Sequence, residues 1–142
     1  MESGFLHWGH DISPEENQYQ AGLNFAISYK KNINFVGKEA LLKIKDQNPT
    51  KSLAMMVLKD NRPGEPLLLH EEPIYLDDKI IGRTTSGNYS FNFKKNISFG
   101  YVNSGNTIEN LVNKNLSIEV EKKKYPVTII KKPLNQKNIK DI

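Results

Sequence analysis

At 142 residues, 25% charged and 37% hydrophobic, the chain has room for one domain with a genuine core and lacks the composition of a disordered polymer. Its longest apolar run, residues 53–58, is far short of the roughly twenty residues a membrane helix needs. Acidic Glu2 and the broken pattern after Phe5 argue against a secretory signal, and the lack of cysteine excludes disulfides, thiolate nucleophiles and cysteine-held metals. A soluble, cytoplasmic protein is the expectation.

Taken in chain order, Ser13-Pro14-Glu15-Glu16 has the make-up of a capping box, but the polar residues after it support only one turn. Val36, Ala40, Leu41 and Ile44 fall on one helical stripe, Glu39 and Lys43 form an i,i+4 pair, and Asn48-Pro49 ends the segment. From residue 51 the pattern changes to short strands. Residues 53–58 form a buried run, and 73–76 with 79–85 form a hairpin turning at Asp77-Asp78. Residues 97–102 follow, then 116–120 pairs with 125–130 through a lysine turn. Strands without intervening helices predict a small antiparallel barrel or sandwich.

The charge is uneven. Residues 1–72 carry ten acidic and eight basic side chains; residues 73–142 carry six and twelve. Eighteen of the twenty basic residues are lysine, leaving only Arg62 and Arg83 to provide a planar fork, which argues against nucleic acid as partner. The clusters Lys122-Lys123-Lys124 and Lys131-Lys132 read as a solvated turn and strand end.

Several short motifs stand in a telling order. Met1-Glu2-Ser3-Gly4-Phe5 precedes Trp8-Gly9-His10-Asp11-Ile12, then come Gln20-Ala21-Gly22-Leu23 and Phe35-Val36-Gly37-Lys38-Glu39-Ala40-Leu41. Further on stand Glu72-Pro73-Ile74, Gly82, Thr85-Ser86-Gly87, Tyr89 and Gly100-Tyr101-Val102. Over residues 2–134 this series resembles the C-terminal part of the aminomethyltransferase (T-protein) family of the glycine cleavage system. It is closest to the folate-binding C-terminal region of dimethylglycine and sarcosine dehydrogenases.

The resemblance implies an α+β, mainly β fold. Residues 1–47 would be the end of a folate-binding domain with a short helical segment, 51–134 the T-protein C-terminal antiparallel β-barrel, and 135–142 a tail. It implies a C-terminal fragment or subunit of a tetrahydrofolate-dependent aminomethyl transfer enzyme. The family's catalytic aspartate, its pterin-gripping glutamate and tyrosine, and the flavin domain of the dehydrogenases have no counterpart here. An arginine of the family motif would stand just before Met1. No catalytic residue, metal site or FAD site is therefore expected, and folate binding by this chain alone is expected to be weak. The expected partner is an N-terminal folate or flavin subunit, or a second copy. The alternative is a noncatalytic module docking on such a subunit. Where the family's hairpin has Asp-Gly, this chain has Asp77-Asp78, which places a left-handed demand on Asp78.

Four residues are folate-cavity candidates. Trp8 could stack on a flat ring or be a buried anchor against the helix. Asp11 could orient a ligand amine or cap a helix start. Glu2 belongs to the motif with the missing arginine, and Tyr89 could offer its phenol or pack in the core. His7 and His10 lack a third strong ligand, and His70 has no evident partner.

Overall fold

The computed structural model describes residues 1–31, 33–59, 62–103 and 105–130. The Lys131-Lys132 cluster, the end of the expected barrel at 134 and the tail 135–142 lie outside the described residues. Six strands form a closed barrel: β1 (Lys51–Leu58), β2 (Pro73–Leu76), β3 (Lys79–Ser90), β4 (Lys95–Asn103), β5 (Leu116–Val120) and β6 (Lys123–Ile130). Around the barrel the order is β1-β4-β3-β2-β5-β6, every pair antiparallel, with β6 closing on β1. The expected mainly-β fold is thus present. Among the described residues two short α-helices accompany it, α1 (Lys38–Ile44) before the barrel and α2 (Ile108–Leu111) between β4 and β5, with a single 3-10 turn at Asn24–Ala26.

The run at 53–58 is continuous, not alternating, because β1 is covered on both faces. Ala54, Met56 and Leu58 point into the barrel, where they meet Ile74, Val102, Ile118 and Val127. Met55 and Val57 point outward and join Ile97 and Phe99 under Met1 and Leu6 of the N-terminal segment. Met56 has no exposure at all. Met56→Ala should therefore cost about 2–5 kcal/mol in a urea titration, and a loss below about 1 kcal/mol would mean the interior packs differently.

β3 and β4 approach too closely for side chains at two points. A β-carbon on Gly82 would collide with the carbonyl oxygen of Tyr101, and one on Gly100 would sit 2.6 Å from that of Arg83. Just beyond these contacts the register shifts at Thr84/Ser86, the bulge that lets one long strand follow the barrel's curve.

The hairpins refine the sequence reading. At Asp77-Asp78 the left-handed residue is the first, Asp77, at φ 52°. Its backbone N–H donates to Asn115 O at 3.0 Å, so the demand expected at Asp78 never arises. The β5–β6 turn uses Glu121 and Lys122, both left-handed, as a two-residue loop wants. Lys123 and Lys124 consequently belong to β6. Lys123 lies over the Tyr125 ring, while Lys124 lies over Tyr75 at 4.0 Å and pairs with Asp78 at 3.1 Å, so this cluster is not simply a solvated turn.

The expected helical stripe is only partly covered. α1 starts after left-handed Gly37, so Val36 stands outside the helix and fully exposed, and no residue of α1 is buried. Leu41 and Ile44 are half-buried.

Candidate functional site

Residues 1–23 run as a strap over the outer barrel face, and three carboxylates fasten it. Glu2 reaches the β3–β4 turn, where Oε1 accepts from the Ser90 hydroxyl and Oε2 from Asn92 Nδ2 at 2.7 Å. Asp11 is 1% exposed. Its Oδ1 accepts from the Thr85 hydroxyl at 2.5 Å, its Oδ2 from the His7 N–H at 2.8 Å, and its carbonyl from the Tyr101 hydroxyl at 2.9 Å. Glu16 Oε1 meets Lys51 Nζ at 2.6 Å, while Oε2 accepts from the Ser13 N–H and hydroxyl. The Ser13 N–H to Glu16 bond is one half of a capping box, while the Ser13 hydroxyl accepts from the Glu15 N–H and not the Glu16 N–H, closing the single turn expected.

These surroundings shift the titrations. Hydrogen bonds from Ser90 and then Asn92 hold the Glu2 carboxyl below the ordinary range. Burial pushes Glu16 up, but its bonds to Lys51 and Ser13 outweigh that, leaving it lowered as well. Burial raises the Tyr101 phenol, with the charges of Glu16 and Asp11 adding to the effect.

Depressed carboxyls stabilise fully above their unfolded value, about 4.3 for Glu, and lose that contribution as pH falls through the folded ones. Thermal melts should therefore show Tm falling below about pH 4.3, less steeply in a Glu2→Gln/Glu16→Gln variant. Parallel curves for the two proteins would refute this role for the clamps.

The four candidates separate. Glu2 and Tyr89 line one shallow cleft of about 320 Å³ with Phe5 and Ile97, and that cleft does not include Trp8 or Asp11. Tyr89 is half-buried and meets Phe91 edge-on at 5.1 Å. Trp8 is 66% exposed, so the buried-anchor alternative is wrong. Its turn is closed by His7–Asp11 bonds that draw Asp11 inward and leave the indole outside. Asp11 begins no helix either: it ties the strap turn to β3 and β4. His70 also gains a partner that its sequence position did not suggest, lying edge-on to His10 at 6.1 Å, while His10 stacks on His7 at 4.6 Å.

Beside the strap lies a larger apolar groove of about 620 Å³, lined by Phe5, Leu23, Phe25, Met55, Phe99 and Ile130 among others. Phe5 and Phe25 on its rim are 81% and 82% exposed.

Comparison with known proteins places this architecture. The profile of the glycine cleavage T-protein C-terminal barrel domain matches residues 51–135. The chain belongs to that family. All six strands of this T-protein-type barrel lie inside the matched interval. Rat (Rattus norvegicus) mitochondrial dimethylglycine dehydrogenase is 34% identical over 136 residues, covering 94% of this chain and 15% of that protein. An aminomethyltransferase of Listeria welshimeri is 32% identical over 133 residues, covering 94% and 35%. A crystal structure of the glycine cleavage system aminomethyltransferase T from Bartonella henselae shares the fold, with a TM-score of 0.76 at 21% identity over 93% of this chain and 36% of that one. The chain therefore spans from about a seventh to about a third of these relatives' lengths. Among its described residues no helix is long and apolar enough to cross a membrane.

Proposed function

We propose that this chain is the closing, C-terminal part of a tetrahydrofolate-dependent one-carbon transfer enzyme of the aminomethyltransferase or dimethylglycine dehydrogenase type. In this reading it seats on the N-terminal folate or flavin portion of the enzyme, which grips the pterin and supplies the chemistry. Residues 1–47 would complete that portion's folate domain, and the barrel would wall the cavity. The observation that carries the reading is the apolar groove, left uncovered by the described residues, with Phe5 and Phe25 exposed at its rim, a face whose size and apolarity suit association.

The candidate residues do not make a pterin site by themselves. The carboxylates of Glu2 and Asp11 are already engaged by Ser90, Asn92, Thr85 and His7, so a pterin amino group would compete with bonds already made. Trp8 remains the accessible flat surface for contact with a folate held elsewhere. A buried donor left unpaired costs about 1–3 kcal/mol, and losing several such contacts puts folate affinity of the isolated chain at about millimolar or weaker. Calorimetry with reduced folate tests this. Micromolar binding to the chain alone, or binding indifferent to Trp8→Ala, would contradict it.

The second reading is a noncatalytic module that docks on a flavin or folate subunit and contributes nothing to the cavity. The wholly exposed Val36 beside the uncovered α1 favours docking in either case.

A further inference from the structure

A different cleft, of about 450 Å³, lies on the barrel's outer face beside the strap, and it contains none of Glu2, Trp8 or Tyr89. Strand register builds it. Lys51 pairs with Asn103 and Arg83 with Tyr101, and Tyr101 and Asn103 are two apart on β4. The four side chains therefore share one face of three neighbouring strands. His10 of the strap and Glu71 ahead of β2 complete the walls.

By formal charge the cleft is near balance, because Lys51 pairs with Glu16 at 2.6 Å and Arg83 with Glu71 at 3.1 Å. The two cations nonetheless keep donors beyond those pairs. Both oxygens of Glu16 are occupied, one by Lys51 and the other by the Ser13 N–H and hydroxyl. The Thr85 hydroxyl is committed to Asp11. Arg83 has five N–H donors, of which Nη1 meets Glu71, and Lys51 has three, of which one meets Glu16. Both cations therefore carry more N–H donors than their ion pairs use. The Arg83–Glu71 pair is also exposed, at 70% and 64% of the two side chains, and such pairs hold weakly, so the fork can turn to a ligand at little cost.

We infer that this cleft is an anion site, receiving a group with two oxygens side by side, a carboxylate or a phosphate, on the Arg83 fork with the Lys51 ammonium at its flank. A planar guanidinium matches such a pair of oxygens, which a lysine in its place cannot do. The inference uses no part of the folate reading and would survive its failure.

The test is a titration of isotope-labelled full-length chain, followed by amide and guanidinium resonances, with inorganic phosphate in one arm and tricarballylate in the other. Saturable shifts centred on Arg83, Lys51, Thr85 and Tyr101 are expected in at least one arm, and the tighter arm tells phosphate from carboxylate. Arg83→Gln should weaken binding about tenfold or more, and Arg83→Lys, which keeps the charge and loses the fork, by a smaller but clear factor. Arg83 is largely exposed, so both variants should fold, and their amide spectra will verify it. Non-saturating shifts in both arms up to about 50 mM, or affinity unchanged within about twofold in Arg83→Gln, would overturn the inference.

Discussion

Replacing Asp11 with alanine should destabilise the protein by about 2–5 kcal/mol. The carboxylate is nearly inaccessible and accepts from two donors that come from different parts of the chain, the Thr85 hydroxyl and the His7 N–H. Alanine removes both acceptors and leaves both donors in place, at about 1–3 kcal/mol for each one that water cannot reach. The Tyr101 bond survives because it goes to the Asp11 backbone carbonyl. Asp11→Asn keeps the shape and one acceptor but aims an amide at a donor, so its loss should be intermediate. Urea titrations of the three proteins decide the matter. A loss below about 0.5 kcal/mol for the alanine variant would show that the strap is held some other way.

The double substitution Phe5→Glu/Phe25→Glu should do the opposite, sparing the fold and abolishing association. Both rings are largely exposed, so the isolated chain should keep its stability to within about 1 kcal/mol. Each ring flanks the apolar groove, where a buried aromatic anchor contributes about 2 kcal/mol or more to an interface. Losing two anchors and burying two carboxylates should weaken docking on a pterin-binding polypeptide by about a hundredfold or more. Unchanged docking affinity by calorimetry would place the interface on another face.

The barrel was largely legible because its strands are local signals. Pro73–Leu76 and Leu116–Val120 stand as read, each bounded by turn residues, and the apolar run on β1 marks a strand buried on both sides. The far half of β3 was not legible. Ser86, Gly87 and Asn88 are poor strand formers, held extended by pairing with β4 beyond the bulge at Thr84/Ser86. The four-residue α2 gives no periodic signal, and it is set by the Thr107 cap, which accepts from the Asn110 N–H at 3.2 Å, and by burial of Leu111.

At the candidate site, the motif around Asp11 was visible but its partner was not, since Thr85 lies 74 positions away and no spacing rule joins them. For the same reason His70 looked solitary, and the cleft between Lys51 and Arg83 could not be seen. Trp8 escaped because an aromatic beside glycine reads more readily as a buried anchor than as a platform, and only the inward turn of Asp11 decides for exposure.

The most direct test of the closing role is tetrahydrofolate affinity measured three ways: on this chain, on the upstream portion of a dimethylglycine dehydrogenase relative cut where its match to this chain begins, and on the two mixed. The closing role requires about millimolar or weaker binding to this chain and at least about a tenfold gain for the mixture over the upstream portion alone, lost again with Phe5→Glu/Phe25→Glu. Equal affinity for the upstream portion with and without this chain would contradict it.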